Sequence, residues 1–241
     1  HGQREPAVLA TALQDDYSKV VITANNVFCE NPERLTDRVL ADARFGIEAR
    51  RVTHRTDDWL LELIVGSNLN IAVFGAGHVG SAVVRTLSTL DCNIRWIDSR
   101  RNVFRQAPNN VRTIETPDPA FEVAAMPPGS CYLVMTHSHS LDYEICDRIL
   151  TRNDAAYCGL IGSVSKRRRF EKRYRAQGMP EAILENLVCP IGVEGISGKK
   201  PAEIAVAASA DVLRAFERAQ DRGDVTYPDN VHRINPINKS T

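Results

Sequence analysis

The chain of 241 residues is 43% hydrophobic and 25% charged, which is ordinary for a globular protein with one main domain and a smaller appendage. Its 30 Lys and Arg residues balance 30 Asp and Glu residues, so the zero net charge disfavours nucleic acid as a partner. The sequence shows neither a signal-like N-terminus nor an apolar run near the roughly 20 residues of a membrane span, so no membrane association is expected.

The six cysteines form no Cys-x-x-Cys pair, and several lie in or beside predicted buried strands. Such a distribution is typical of reduced thiols rather than of a disulfide framework, and it predicts a cytoplasmic protein. Cys158, directly before Gly159, is expected to be a small core residue rather than a reactive thiol.

Residues 1–66 are predicted to form a small α/β segment ahead of the main domain. Residues 19–24 and 59–65 are rich in aliphatic and β-branched residues and predict two strands. Between these strands, apolar residues recur at helical spacing over residues 35–52. One helix and two strands would give this segment only a thin core.

A glycine motif, Gly-x-Gly-x-x-Gly, follows a short apolar strand predicted at 70–74 and opens a helix that continues to about residue 90. A strand, a glycine turn and a helix in this order are typical of a dinucleotide-binding unit. The first glycine permits the tight turn, the second lets a phosphate approach the backbone, and the third lets the helix pack on the strand. The predicted cofactor-binding residues of the turn are Gly75, Ala76, Gly77, His78, Val79 and Gly80.

An acidic residue follows the second predicted strand, 92–97: Asp98 lies 18 residues after Gly80. In mononucleotide-binding units an acid at this place accepts hydrogen bonds from a ribose. Arg100 comes two residues later and would hold an additional phosphate or stay solvated. A unit that keeps its glycines for packing and binds nothing is the alternative at this point.

The second half of the chain continues the alternation of strands and helices. The predicted elements are strands at 111–115, 131–136 and 156–161 and helices from Ser140 to about 151, from 164 to 177 after a Ser163 cap, and over 202–221. This alternation predicts an α/β fold, a Rossmann-like, doubly wound parallel sheet over residues 67–223, followed by an extended tail at 224–241. With the strand order 3-2-1-4-5, the first and fourth strands border the crevice in which such sheets bind ligands.

Three histidines are expected at that crevice. His78 follows the first strand, whereas His137 and His139 follow the fourth, so the order of strands places them at one opening. A His-x-His pair alone does not complete a zinc site, and neither metal ligands nor catalytic residues are assigned. Gly162 and Ser163 open a strongly basic helix and form a second candidate cradle for an anion. A solvated helix face or a docking surface for an acidic partner would explain the same charges.

Six motifs in this order resemble the C-terminal domain of the xanthine dehydrogenase accessory factor family (XdhC/CoxI-like). They are Phe-Gly-Ala-Gly-His-Val-Gly at 74–80, Ile-Asp-Ser-Arg at 97–100, Thr-His-Ser-His-Ser-Leu-Asp-Tyr at 136–143, Gly-Leu-Ile-Gly-Ser at 159–163 with Lys166 and Arg167, Pro-Ile-Gly at 190–192, and Lys-Pro-Ala-Glu-Ile-Ala at 200–205. The resemblance covers about residues 70–215. The Gly-Ser-x-Pro-Arg stretch and the Cys-Cys pair of fuller members do not occur in this sequence.

The resemblance implies an accessory factor rather than an enzyme. Members of the family bind the molybdenum cofactor (molybdopterin), favour its sulfurated form and hand it to a molybdenum hydroxylase such as xanthine dehydrogenase. By this resemblance the cofactor phosphate would lie at the glycine turn, and His78, His137, His139 and Asp142 would face the pterin or the metal oxo groups. A cysteine desulfurase and a second copy of the chain are further expected partners.

Two other classes of function fit the same motifs. An NAD(P)-dependent oxidoreductase would use Asp98 to set cofactor preference and a histidine at 137 or 139 as proton donor. A nucleotide-sensing or partner-binding module would instead dock on another protein through the basic helix at 163–177.

Overall fold

A computed structural model describes residues 6–14, 18–29, 35–49, 53–64, 67–104 and 106–222. These residues form two compact units, one ending at Ile64 and one beginning at Ser67. The tail predicted at 224–241 lies outside the described residues, as do the predicted ends of two N-terminal elements, 50–52 and residue 65.

The described residues of the N-terminal unit form a five-stranded antiparallel sheet and one helix. Its elements are β1 (Ala7–Ala12), β2 (Lys19–Thr23), β3 (Val27–Phe28), α1 (Asp37–Glu48), β4 (Thr53–Thr56) and β5 (Trp59–Ile64), and the strand order is β3-β2-β1-β5-β4. Two strands were predicted for this unit, and the structure has five. The core is also larger than the thin one expected, because the helix packs on a five-stranded sheet. Its wholly buried residues include Val8, Ile22, Val39 and Leu61.

The main unit contains six strands, all paired in parallel. The strands are β6 (Asn70–Phe74), β7 (Asn93–Asp98), β8 (Val111–Glu115), β9 (Cys131–Val134), β10 (Tyr157–Leu160) and β11 (Leu187–Val188). Their order, β11-β10-β9-β6-β7-β8, is the predicted order with one added edge strand, β11. The predicted Rossmann-like α/β class is confirmed.

Helices cover both faces of the parallel sheet. They are α2 (His78–Leu87), α3 (His139–Arg152), α4 (Val164–Ala176), α5 (Glu181–Leu184) and α6 (Pro201–Asp221), with a 3-10 helix at Pro119–Val123. Ser138, not the predicted Ser140, is the N-cap of α3, because its hydroxyl oxygen accepts the N–H of Leu141 at 3.4 Å. No helix of the described residues combines the length and the apolar character that crossing a membrane requires.

Alternate side chains of the central strand β6 enter two separate cores. Ala72 and Phe74 join a core with residues of α3 and α4, whereas Ile71 and Val73 join a core with residues of α2 and α6. All four side chains are fully buried. Because β6 is buried on both faces, its residues 71–74 are all apolar. The glycine turn follows directly at the carboxyl end of this strand.

Candidate functional site

The glycine turn at the end of β6 is shaped by close backbone packing. Gly75 has φ +112°, and a Cβ there would collide with the carbonyl group of Met135. A Cβ on Gly80 would collide with the carbonyl oxygen of Gly75, so the first turn of α2 sits directly on the strand end. Gly77 differs from both, because no heavy atom lies within 4 Å of the place of a Cβ. The middle glycine therefore borders open space.

Three hydrogen bonds fasten the turn to β7. The N–H of Gly75 donates to the carbonyl oxygen of Ile97 at 2.8 Å, and the indole N–H of Trp96 donates to the carbonyl oxygen of Gly75 at 3.0 Å. The N–H of Ala76 donates to the Asp98 carboxylate at 2.6 Å. Helix α2 has no side-chain cap, so its first-turn N–H groups, including that of Val79, keep their capacity to bind an anion.

The Asp98 carboxylate is occupied by its own chain. It is 3% exposed; one oxygen accepts from the backbone N–H and Nε of Arg100, and the other accepts from Ala76 and from Nη2 of Arg100 at 2.8 Å. Burial acts to raise the pKa of Asp98, but the hydrogen bonds from Arg100 and Ala76 prevail, and the pKa lies below its ordinary value. A ribose hydroxyl would have to displace Arg100 to reach this carboxylate.

A cavity of about 980 Å³ opens beside the glycine turn and is called here the glycine cavity. His78 lines it at the start of α2, and Lys200 lines it just before α6. Arg85 supplies further positive charge, whereas Arg100 is paired with Asp98 and adds mainly guanidinium N–H donors; among the described residues none of the lining side chains is acidic. The cations and the N-terminus of α2 together favour a negatively charged group in this cavity.

A second cavity, of about 530 Å³, is lined by the segments that follow β9 and β10 and is called here the strand-end cavity. It gathers predicted site residues from both segments: His137, His139, Asp142, Gly162 and Ser163. His78 lines the glycine cavity instead. Nine of the thirteen predicted residues therefore line one or other of two cavities that share no lining residue, and Gly75, Val79, Gly80 and Asp98 line neither. The three histidines do not meet at one opening as expected.

A buried ion pair lies at the wall of the strand-end cavity. Asp142 Oδ2 is 2.6 Å from Lys166 Nζ, and the two residues are 1% and 9% exposed. Asp142 Oδ1 accepts from the N–H and the hydroxyl of Thr136 at 2.9 and 2.7 Å. Asp142 therefore positions Lys166 and the loop after β9, and its two oxygens already have protein donors.

Four basic residues that line the cavities were not among the predicted site residues. They are Arg85 and Lys200 in the glycine cavity and Lys166 and Arg169 in the strand-end cavity. Lys166 and Lys200 belong to the motifs that resemble the XdhC/CoxI-like family, so the sequence did offer a reason to include them in the site. Nothing in the sequence distinguishes Arg85 and Arg169 from the solvated basic residues of a helix.

The cysteines and acidic residues give no metal centre in the part of the chain that the structure describes. No group of three or more His, Cys, Asp or Glu side chains is placed to hold a metal ion there. All six cysteines are free thiols. Burial raises the pKa of Cys131 to about 12, and burial together with Asp91 raises that of Cys92 to about 11, so neither is a reactive thiolate.

Comparison with known proteins gives one match in sequence and several in fold. The model of a family described as the XdhC Rossmann domain matches residues 71–212. No curated protein matches the chain. A crystal structure described as a xanthine dehydrogenase from Bacillus halodurans is 19% identical, with a TM-score of 0.56, and is similar in fold over 89% of this chain and 60% of that protein. The chain thus spans about three fifths of the length of this neighbour. The chuY protein from E. coli CFT073 is 14% identical with a TM-score of 0.38, covering 59% of this chain and 89% of that one.

Proposed function

Because the chain belongs to the XdhC family, we propose that it is an accessory factor that binds the molybdenum cofactor and inserts it into xanthine dehydrogenase or a related molybdenum hydroxylase. In this role the chain would shield the sulfurated cofactor until transfer, with a cysteine desulfurase as a further partner. The single observation that carries the proposal is the open, basic glycine cavity at the N-terminus of α2.

The residues of the glycine cavity fit the phosphate of molybdopterin or the pyrophosphate of its dinucleotide form. The open space beside Gly77 admits the group to the backbone, and the first-turn N–H groups of α2 can donate to its oxygens. Arg85, Arg100 and Lys200 can neutralise its charge. Micromolar affinity requires about 8 kcal/mol, which a few charge-assisted hydrogen bonds of about 1.5–3 kcal/mol each can supply.

The chain's own residues would hold and orient the cofactor rather than react with it. When bound, the cofactor supplies the molybdenum centre that the recipient hydroxylase uses. The occupied Asp98 carboxylate presents Arg100 at the cavity, and this favours a phosphate over a free ribose hydroxyl as the group recognised there. That preference ranks cofactor binding above a reaction that recognises the free ribose of NAD, whereas the 2′-phosphate of NADP would suit Arg100 as well, so the identity of the copurified ligand decides between the two.

The proposal is tested by coexpressing the chain with the molybdenum cofactor pathway. The purified protein is oxidised, and the fluorescence of released pterin is measured against protein concentration. We expect near-stoichiometric pterin, and a Gly77→Val variant should lose most of it because the added side chain fills the open space by the turn. A second pair of variants compares Arg85→Gln, which removes a cation from the cavity lining, with a matched surface control. The control is Arg112→Gln, because Arg112 lies on β8 and does not line the cavity.

Three results would separate the alternatives. Protein free of pterin after coexpression would contradict the proposal. Copurified nicotinamide dinucleotide would support the oxidoreductase instead, and Asp98→Ala should then change the preference between NAD and NADP. Loss of cofactor transfer to a molybdenum-free hydroxylase, with pterin binding unchanged, would identify variants that act on docking alone.

A further inference from the structure

The strand-end cavity lies at the carboxyl ends of β9 and β10, where parallel sheets place their ligands. Thr136 and His137 come from the loop after β9, and Gly162 and Ser163 from the loop after β10. Its lining shares no residue with the glycine cavity, so its chemistry can be considered by itself.

The acceptors at the wall of the cavity are already in use. Both Asp142 oxygens accept protein hydrogen bonds, and the Ser163 hydroxyl oxygen accepts from the N–H of Lys166 at 3.3 Å. Asp142 contributes the only carboxylate among the described lining residues, and its charge is balanced by Lys166. Groups that enter the cavity therefore meet mainly donors.

Those donors are several and come from different elements. Lys166 Nζ makes two hydrogen bonds, to Asp142 and to the carbonyl oxygen of Ile161 at 2.9 Å, and an ammonium has a third N–H to give. Among the described residues Arg169 has no carboxylate partner, whereas Arg167 and Arg175 on the same helix are paired with glutamates. His137 and His139 add imidazole nitrogens, one of which can donate in every tautomer.

The position of Lys166 is built into the fold rather than adopted by a loose surface side chain. Its side chain is 9% exposed and passes Gly162 so closely that a Cβ there would lie 2.5 Å from Lys166 Cδ. Any other residue at 162 would press on the lysine stem. The absence of a side chain at Gly162 thus lets the ammonium reach both Asp142 and the cavity.

We propose that the strand-end cavity binds a tetrahedral oxyanion of the phosphate or molybdate kind, held by Lys166 and Arg169 and oriented by His137 and His139. A tetrahedral oxyanion carries negative charge and mainly acceptor atoms, which matches a wall of donors around a buried ammonium. Such an oxyanion has two sources, a free inorganic ion and the phosphoryl end of a larger ligand. The site is distinct from the one assigned to the cofactor phosphate above.

Binding is measured by isothermal titration calorimetry of the full chain with inorganic phosphate and with molybdate, at constant ionic strength to hold screening fixed. We expect saturable binding of one equivalent in the strand-end cavity when the titration is made on the Gly77→Val variant, in which the glycine cavity is filled. Arg169→Gln should weaken it about tenfold, the size expected for losing a hydrogen bond to a charged group. Arg168→Gln is the matched control, since Arg168 lies on the same exposed part of α4 but does not line the cavity.

Two further variants keep the result interpretable. Lys166→Met leaves Asp142 buried without a counter-charge and can unfold the protein. His139→Ala changes an exposed position and therefore provides the second test of the site. Gly77→Val should leave oxyanion binding in this cavity unchanged while it loses most of the pterin, which separates this proposal from the proposed function. Phenyl phosphate distinguishes the sources: tighter binding than inorganic phosphate indicates a phosphoryl end, and equal or weaker binding indicates a free ion.

Absence of saturable binding at millimolar phosphate and molybdate would overturn the proposal. An equal loss of affinity in the Arg168 and Arg169 variants would also overturn it, because it would mean general attraction to the basic helix rather than a site.

Discussion

The Asp98 side chain joins three parts of the main unit at one carboxylate. It holds the amide of Ala76 in the glycine turn, and it holds the backbone and the guanidinium of Arg100 after β7. The turn and one cation of the glycine cavity, Arg100, are thus fixed by the same buried charge. Loss of that charge should therefore lower both the stability of the protein and its affinity for the ligand.

Replacing Asp98 with Asn should lower the free energy of unfolding by about 1–3 kcal/mol at pH 7, because the charge-assisted hydrogen bonds are lost. The pKa of Asp98 is depressed in the folded protein, so its contribution is present above the carboxyl pKa of the unfolded chain and is lost as the pH falls through the folded value. Urea denaturation from pH 7 to pH 3 measures this. A difference between wild type and variant that stays constant down to pH 3 would contradict the assignment.

The ribose role predicted for Asp98 came from its spacing to the glycines, and the spacing is right: the residue does lie at the end of β7 beside the turn. The spacing does not show which groups compete for the carboxylate oxygens of Asp98. Arg100 is two residues away and takes both of them, an outcome that depends on side-chain geometry in three dimensions. For the same reason Asp142 was expected to face the cofactor, and its partner Lys166 was not assigned to the site.

At the scale of elements, the contact between α2 and β6 depends on a glycine at 80. Its missing side chain lets the first turn of the helix approach the carbonyl oxygen of Gly75. The neighbouring Gly77 has no such contact, so the two positions differ in their packing although they belong to one motif.

Gly80→Ala should therefore destabilise the protein by about 1–3 kcal/mol through overpacking, whereas Gly77→Ala should stay within about 0.5 kcal/mol because a weaker helix cap and a stiffer unfolded chain offset each other. Thermal and urea unfolding of the two single variants provide the comparison. Equal destabilisation by both would show that the motif tolerates no side chain for backbone reasons alone.

Most elements with a clear apolar pattern were predicted, although β1 (Ala7–Ala12) was missed, and short or polar elements were not predicted. Strand β6 is apolar from Ile71 to Phe74, and its bounds match the prediction of 70–74. Strand β4 reads Thr-His-Arg-Thr, and β3 and β11 have two residues each, so they carry no pattern of alternation. These strands are defined by pairing with distant segments, and such pairing is not visible in local sequence. Ser140 was predicted as the start of α3, whereas the backbone places the cap at Ser138.

The molecule as a whole contains two units with separate cores. The main unit buries both faces of its parallel sheet within residues 67–222, and both cavities are lined by residues of this unit alone. A unit with its own core and its own sites has what independent folding requires.

Residues 67–222 expressed alone should give a folded protein with a cooperative urea transition, because both cores are complete within the segment. Far-UV circular dichroism and tryptophan fluorescence should report the same midpoint. A gradual transition, or two different midpoints, would mean that the N-terminal unit is needed for the fold of the main unit.

The contact between Gly75 and Met135 joins the two loops that lead to the two cavities, backbone against backbone. A side chain at such a contact could be shortened to make room, but a main-chain carbonyl cannot. Gly75 and Met135 each directly follow one of two paired strands, so neither strand end can move without the other, while residues inserted further along either loop leave this contact in place.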